Sequence, residues 1–249
     1  MEPFGELRGW YFCGRARALS EIIEWMTEPP DGDLRARLVT GRPGSGKSAV
    51  LGRLIVMSNS RLREQVPQEE FDRAPTGTIC PEGVIAGQVH VRGLTVDEVA
   101  AAVAAELGID VLDGTSLLLA LSEERLPTDR VLVVDAVDES AAPDALVRGL
   151  LVPLTRLARR TGLRMVIGTR PGQGRRIVRA FGQSIVEVDL DSADYVDEDD
   201  LSDYAERLLT AAGERQMAPT PYSGRADVAR RRARARSLST CLEDSRDCP

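Results

Sequence analysis

Lysine is all but missing from this chain. Of 32 basic side chains one is a lysine, Lys47, and the rest are arginines. Histidine is as scarce, with His90 alone. The four cysteines, Cys13, Cys80, Cys241 and Cys248, show no CxxC spacing, so no Cys/His zinc set can be assembled from them. They are also too few for a disulfide scaffold, and a reduced, cytoplasmic protein is the expectation. Aromatic residues make up 4% of the sequence, which leaves the core to aliphatic side chains. Positive charge is short as well. The net charge is −7 and the pI about 5.0, which argues against broad electrostatic binding of DNA or RNA. No apolar run approaches the length of a membrane span and no basic-then-apolar leader pattern opens the sequence, so no membrane association is expected. No internal repeat is visible. What is present is 249 residues with 43% apolar content, enough to bury a core in one large domain, or in one domain and part of another.

The single lysine stands in Gly41-Arg42-Pro43-Gly44-Ser45-Gly46-Lys47-Ser48, which fits the phosphate-loop pattern GxxxxGK[ST] at every fixed position. Gly41, Gly44 and Gly46 let the backbone take turns that side chains forbid, and a loop bent that way aims its N–H groups at phosphate oxygens. The helix after it adds its positive end. Lys47 supplies a full charge to the β/γ-phosphates, and the Ser48 hydroxyl is a ligand for Mg²⁺. A chain that otherwise uses arginine throughout keeps its lysine where a compact point charge fits and a planar fork does not. The context agrees: Arg37-Leu38-Val39-Thr40 reads as a short strand, and Val50, Leu51, Leu54 and Ile55 recur at helical spacing. With Ala49, the nine residues from Gly41 are the candidate nucleotide-binding set.

Upstream, Leu19, Ile22, Ile23 and Met26 form a helical stripe that ends at Pro29-Pro30-Asp31-Gly32. Spacing favours a helix packed on the sheet edge; the alternative is that Gly14-Arg15 approaches the base or ribose of a nucleotide. Residues 59–83 carry Pro67, Pro75 and Pro81 and read as a long surface connection. Val84 to Val91 reads as a strand, with His90 a packed or surface histidine at its end. Thr95 and Glu98 form a capping box for a helix that shows Val96, Val99, Val103 and Leu107 on one face and stops at Gly108. A shorter helix is expected from Thr115 to Leu121.

Val131-Leu132-Val133-Val134-Asp135 is a run without alternation, as in a strand buried on both faces. It places Asp135 at the carboxyl edge of a parallel sheet, where open α/β sheets bind ligands and where an aspartate can hold Mg²⁺. Asp138 or Glu139 could orient or deprotonate an attacking water, and the sequence leaves open which. A helix from Pro143 to Arg160 should kink or break at Pro153. Leu163 to Gly168 is the next strand, and Arg170 just beyond it either meets a γ-phosphate or caps the sheet edge. Ile185 to Val188 is the last strand. The acidic stretch Asp189 to Asp203 lacks the EF-hand pattern and reads as a solvated loop. An amphipathic helix is expected from Asp200 to Ala212. The basic run Arg230, Arg231, Arg232, Arg234 and Arg236 reads as a disordered tail rather than a nucleic-acid site.

Four signals thus succeed one another: Phe-Cys-Gly-Arg before a helix, GRPGSGKS, the apolar run ending Asp-Ala-Val-Asp-Glu, and Gly-Thr-Arg-Pro. In this order they resemble the NACHT-like group of signal-transduction ATPases with numerous domains, the STAND class of the AAA+-related NTPases, in particular its actinobacterial members. The resemblance covers residues 10 to about 228. It implies an α/β fold of the P-loop NTPase type, three layers around a mainly parallel five-stranded sheet, followed by the start of a helical lid. It divides the chain into a lead-in (1–33), a core (34–190), the opening of the lid (191–228) and an arginine-rich tail (229–249). It implies ATP and Mg²⁺ as ligands. Lys47 and Ser48 match the Walker A lysine and hydroxyl, and Asp135 the Mg²⁺-associated Walker B aspartate with Asp138 and Glu139 as acidic companions. Arg170 matches the sensor position, on a strand between the phosphate-loop strand and the Walker B strand. Gly14-Arg15 matches the motif near the nucleotide. Such proteins act as switches whose ATP and ADP states control oligomerisation, so protein partners or self-assembly are implied. In the family the lid continues as aliphatic helices, whereas this sequence turns arginine-rich and polar before Pro249; a truncated or frame-shifted product is the expectation. A slowly hydrolysing ATP switch is the leading reading. A small-molecule phosphotransferase, or a remnant that only binds nucleotide, are the alternatives.

Overall fold

Apolar stretches without alternation form the middle of the sheet. The computed structural model describes residues 15–29, 32–123 and 130–195. The chain divides into two units, residues 1–201 and 202–249, and all described residues belong to the first. In chain order its longer elements are α1 (Ala16–Thr27), β1 (Ala36–Thr40), α2 (Lys47–Ser58), β2 (Ile85–His90), α5 (Val96–Leu107), α6 (Gly114–Glu123), β3 (Val131–Asp135), β4 (Arg164–Gly168), α9 (Pro171–Phe181) and β5 (Ile185–Asp189). Short helices α3 (Ser60–Arg63) and α4 (Gln68–Asp72) come after α2, while α7 (Pro143–Leu146) and α8 (Val152–Thr161) fill the span between β3 and β4.

The five strands pair in the order β2-β3-β4-β1-β5, and each pairing is parallel. Strands β1, β3 and β4 are buried along their whole length, as a run flanked by helices on both faces requires. Strand β4 lies between β1 and β3. Alternate strand residues feed two cores. Leu38, Leu132, Val134 and Ile167 pack with α5, α6, α8 and α9. Val39, Val133, Val166 and Val188 face the other way, onto α1 and α2. Three layers, α/β/α, result.

The expected elements recur with local differences. The Thr95–Glu98 capping box is formed and Gly108 closes α5 in a left-handed conformation. The span 59–83 is more than a surface connection: it contains α3 and α4, buries Thr78, and packs Val66 and Cys80 into the α1–α2 core. Pro153 does interrupt its helix, and Val147–Leu151 widens into a π-turn before it. That spacing removes the need for the N–H that proline lacks. Gly14, the amphipathic helix expected at 200–212, most of the lid opening and the arginine run lie outside the described residues.

Candidate functional site

Strand β1 ends in the glycine loop, and the loop ends in α2. Gly41 has φ 151° and a Cβ built on it would lie 2.3 Å from Ser45 Oγ, so only glycine lets the loop close this tightly. Gly46, at φ 94°, is the left-handed residue from which α2 starts, and Lys47 and Ser48 are the first helical residues. The N-terminal N–H groups of α2 therefore open toward the loop. Lys47 Nζ donates to the carbonyls of Gly41 and Arg42, at 2.5 and 3.1 Å. Burial lowers the Lys47 pKa, against the pull of the Asp191, Asp138 and Asp135 carboxylates.

Asp135 closes β3 at the carboxyl edge and is buried. Its Oδ1 accepts from Ala136 N at 2.7 Å. Room for this carboxylate comes from β4: a Cβ on Gly168 would stand 2.3 Å from Asp135 Oδ1. The chain then turns through Ala136, at φ 61°, into a 3₁₀ turn over Val137–Glu139. This left-handed residue swings the next two acids back over the sheet edge.

The two acids have different surroundings. Asp138 Oδ1 accepts from Thr169 Oγ1 and from Arg170 N, both at 3.2 Å, and Arg170 Nε lies 3.4 Å from Oδ2. That carboxylate ties the 3₁₀ turn to the start of α9. Glu139 instead takes one arginine on each oxygen: Arg170 Nη2 at 2.5 Å on Oε1 and Arg92 Nε at 3.1 Å on Oε2. Its side chain is 26% exposed, against 8% for Asp138. Glu139 is thus the acid that solvent reaches more freely.

A cleft of about 350 Å³ runs between these parts. Loop residues Pro43, Gly44 and Gly46–Ala49 line one side; His90, Asp135, Asp138, Glu139, Thr169 and Arg170 line the other. Ser48 and Asp135 therefore face the same space. His90, read from sequence as a packed or surface histidine, is half-exposed in this cleft with Nδ1 3.5 Å from Asp135 Oδ2.

Arg15 donates from Nε to Ser45 O at 3.2 Å and from Nη1 to Tyr195 O at 2.6 Å. It stands at the start of α1 with φ 58°. The first of the two sequence alternatives holds, in that α1 is a packed helix, and Arg15 at its start touches the glycine loop. The start of the acidic stretch is not a plain solvated loop. Asp191 Oδ2 accepts from Arg42 N at 2.7 Å and lies 3.4 Å from Arg42 Nε. The Arg42 side chain itself is exposed, so what this residue gives the loop is mainly its backbone.

Sequence reasoning missed His90, Arg92, Asp191 and Tyr195 as neighbours of the site. His90 ends β2 and Arg92 lies in the turn beyond it, and no local pattern in the sequence marks any of the four as facing the site.

Strand, glycine loop, helix and the strand order β2-β3-β4-β1-β5 make this the P-loop NTPase fold. No protein-family model and no curated protein sequence matches the chain. Solved structures that are similar include the ORC1 protein of Aeropyrum pernix in complex with DNA, at 20% identity and a TM-score of 0.44, over 78% of this chain and 48% of that one. Drosophila ORC bound to GC-rich DNA and Cdc6 is also similar, at 12% identity and a TM-score of 0.38, over 84% of this chain and 69% of that one. The chain spans about half the length of the Aeropyrum protein.

Proposed function

We propose that this domain binds Mg²⁺-ATP and hydrolyses it slowly, as an AAA+-related switch domain of the STAND, NACHT-like kind. One observation carries the reading: the glycine loop with the chain's sole lysine faces Asp135, Glu139 and Arg170 across a single cleft. The donors suit a magnesium–triphosphate ligand. Loop N–H groups and Lys47 match phosphate oxygens. Ser48 and Asp135 would hold Mg²⁺, which usually takes only one or two protein oxygens and completes its shell with phosphates and water. Among the described residues no three His, Cys, Asp or Glu side chains converge on a metal of their own, which suits an ion brought in with its substrate. When bound, the ion neutralises charge on the phosphates.

In this reading Arg170 stabilises charge on the γ-phosphate. Glu139 is the base and Asp138 a positioning group. The water oxygen attacks the γ-phosphorus and its proton passes to the Glu139 carboxylate. The bond from the γ-phosphorus to the bridging oxygen breaks, and ADP leaves with that electron pair. Arg15 links the loop to Tyr195, which belongs to the opening of the proposed lid. That contact supports a core that signals nucleotide state to the lid. The net charge of −7 argues against broad electrostatic binding of nucleic acid. Protein partners or copies of the chain are the proposed targets of the switch, in the cytoplasm. No helix among the described residues is long and apolar enough to cross a membrane.

The test is the Lys47→Ala variant, titrated with a fluorescent ATP analogue. Loss of the ammonium should weaken binding by about a hundredfold or more, as for a charge-assisted phosphate contact in a partly buried loop. Undiminished binding would end this reading. Light scattering with ATP and with ADP then separates a switch that assembles from a domain that only binds.

A further inference from the structure

Arg92 is outside the glycine loop and the Asp135–Glu139 motif, yet its turn is fixed to the site from two sides. Val91 N donates to Asp135 O at 3.0 Å, and Gly93 N donates to Glu139 O at 2.8 Å. A third bond, Ala141 N to Leu94 O at 2.9 Å, closes the same seam. The turn that carries Arg92 is thereby stitched to the turn that carries Glu139. From it Arg92 Nε reaches Glu139 Oε2, while Arg170 holds Oε1. Glu139, rather than Arg92, forms the wall of the cleft at this point.

We infer that Arg92 is a positioning residue for the hydrolytic step, holding Glu139 in place when Arg170 turns to the phosphate. This rests on the proposed hydrolysis. The two arginines sit on different oxygens of one carboxylate, so their roles can separate. Charge on a γ-phosphate competes with Glu139 for Arg170. As Arg170 leaves, Oε1 becomes free to accept from water, and Oε2 remains tied to Arg92. A carboxylate released by both would swing into solvent and lose its alignment with the attacking water. A carboxylate held at one oxygen presents the other. The water proton goes to Oε1, and the bonds made and broken at phosphorus are unchanged.

The experiment uses the full chain, with Arg92→Ala, Arg92→Lys, Glu139→Gln and the double variant Arg92→Ala/Glu139→Gln. Phosphate release is measured at saturating Mg²⁺-ATP, and affinity by a fluorescent ATP analogue. Arg92→Ala should keep affinity and KM within about twofold and lower kcat by about tenfold, a part of what a general base supplies. Arg92→Lys should recover part of kcat. In the Glu139→Gln background Arg92→Ala should change nothing further, because residues that act as a unit are not additive. An exposed ion pair contributes little to folding, so the melting temperature of Arg92→Ala should match the parent. An unchanged kcat overturns the inference. So does a raised kcat, which would mark Arg92 as a restraint on Glu139, and so does a full further loss on top of Glu139→Gln. If Lys47→Ala abolishes binding while Arg92→Ala leaves kcat intact, only this inference falls. If the parent chain binds ATP and releases no phosphate, the hydrolytic reading falls and takes this one with it.

Discussion

Gly168 has no room for a methyl group. A Cβ at this position would stand 2.3 Å from Asp135 Oδ1 and 2.7 Å from Leu51 Cδ1, closer than real contacts allow. The carboxylate is the softer of the two neighbours, so it should yield first. Gly168→Ala is therefore expected to push Asp135 from its position, weakening the Mg²⁺-dependent part of ATP-analogue binding by about tenfold. The accompanying overpacking should cost about 1–3 kcal/mol. Titration with and without Mg²⁺ checks this: equal losses under both conditions would show a general distortion and not a displaced carboxylate. At this scale the glycine loop was legible because its chemistry is local. Lys47, Ser48 and the turn residues are neighbours in sequence, and their spacing is the site. The sequence shows Gly168 only as the end of a strand, since its reason for being glycine lies on β3. The different surroundings of Asp138 and Glu139 are likewise unreadable, because they are set by Thr169, Arg170 and Arg92 and not by the acids themselves.

Helix α5 shows what a whole element contributes. Its capping box is complete: Thr95 Oγ1 accepts from Glu98 N at 3.3 Å, and Glu98 Oε2 accepts from Thr95 N at 2.8 Å. Thr95→Ala should cost about 1 kcal/mol, the usual worth of such a cap. In a chain of this size that lowers the melting temperature by about 2–4 °C. The turn at Arg92 is held separately, through the Asp135 and Glu139 carbonyls, so ATP-analogue affinity should stay unchanged in that variant. A calorimetric scan and a binding titration check the pair of expectations. Periodicity and capping residues made α5 readable almost residue by residue. Strand β2 was readable in type but not in register. A bulge between Ile85 and Gly87 shifts its pairing by one residue, so that His90 lies opposite Asp135. Without the bulge His90 would fall one position further along, with its side chain on the other face. Gly87 marks the spot: a Cβ there would meet Glu106 Cβ at 2.4 Å. Such a bulge depends on the helix packed above the strand, and no local pattern announces it.

Across the whole molecule the sheet has two unlike edges. The carboxyl edge carries the cleft, and the amino edge buries arginines. Arg37 and Arg164 lie over the Trp25 ring, with Cζ 4.6 and 5.3 Å from its centroid. Arg164 donates to the Trp25 and Met26 carbonyls, which fastens α1 to β4. Sequence patterning shows these arginines only as lone charges in apolar strands, because the Trp25 carbonyl that takes Arg164 is 139 positions away. Asp33 completes the edge. It accepts from Arg35 Nε and Nη2 at 2.8 and 2.9 Å, from Arg35 N at 3.0 Å and from Arg37 Nη2 at 2.9 Å. The Arg35 guanidinium, then its backbone N–H and Arg37, hold the Asp33 carboxyl far below the usual carboxylate range, against the opposing effect of burial. A depressed folded pKa stabilises the fold above the unfolded value, near pH 4, and that contribution fades as pH falls through the folded pKa. Asp33→Asn keeps the shape and removes the charge, leaving the buried Arg37 without its counter-ion. At pH 7 it should lose about 2–3 kcal/mol, between the exposed-pair and buried-pair limits. Urea unfolding of parent and variant at pH 7 and again at pH 3 measures the gap directly. The gap should narrow at the lower pH, where the unfolded parent's carboxylate has taken up its proton while the folded one is still held ionised. A gap equal at both pH values would assign the loss to packing and not to the Asp33 charge.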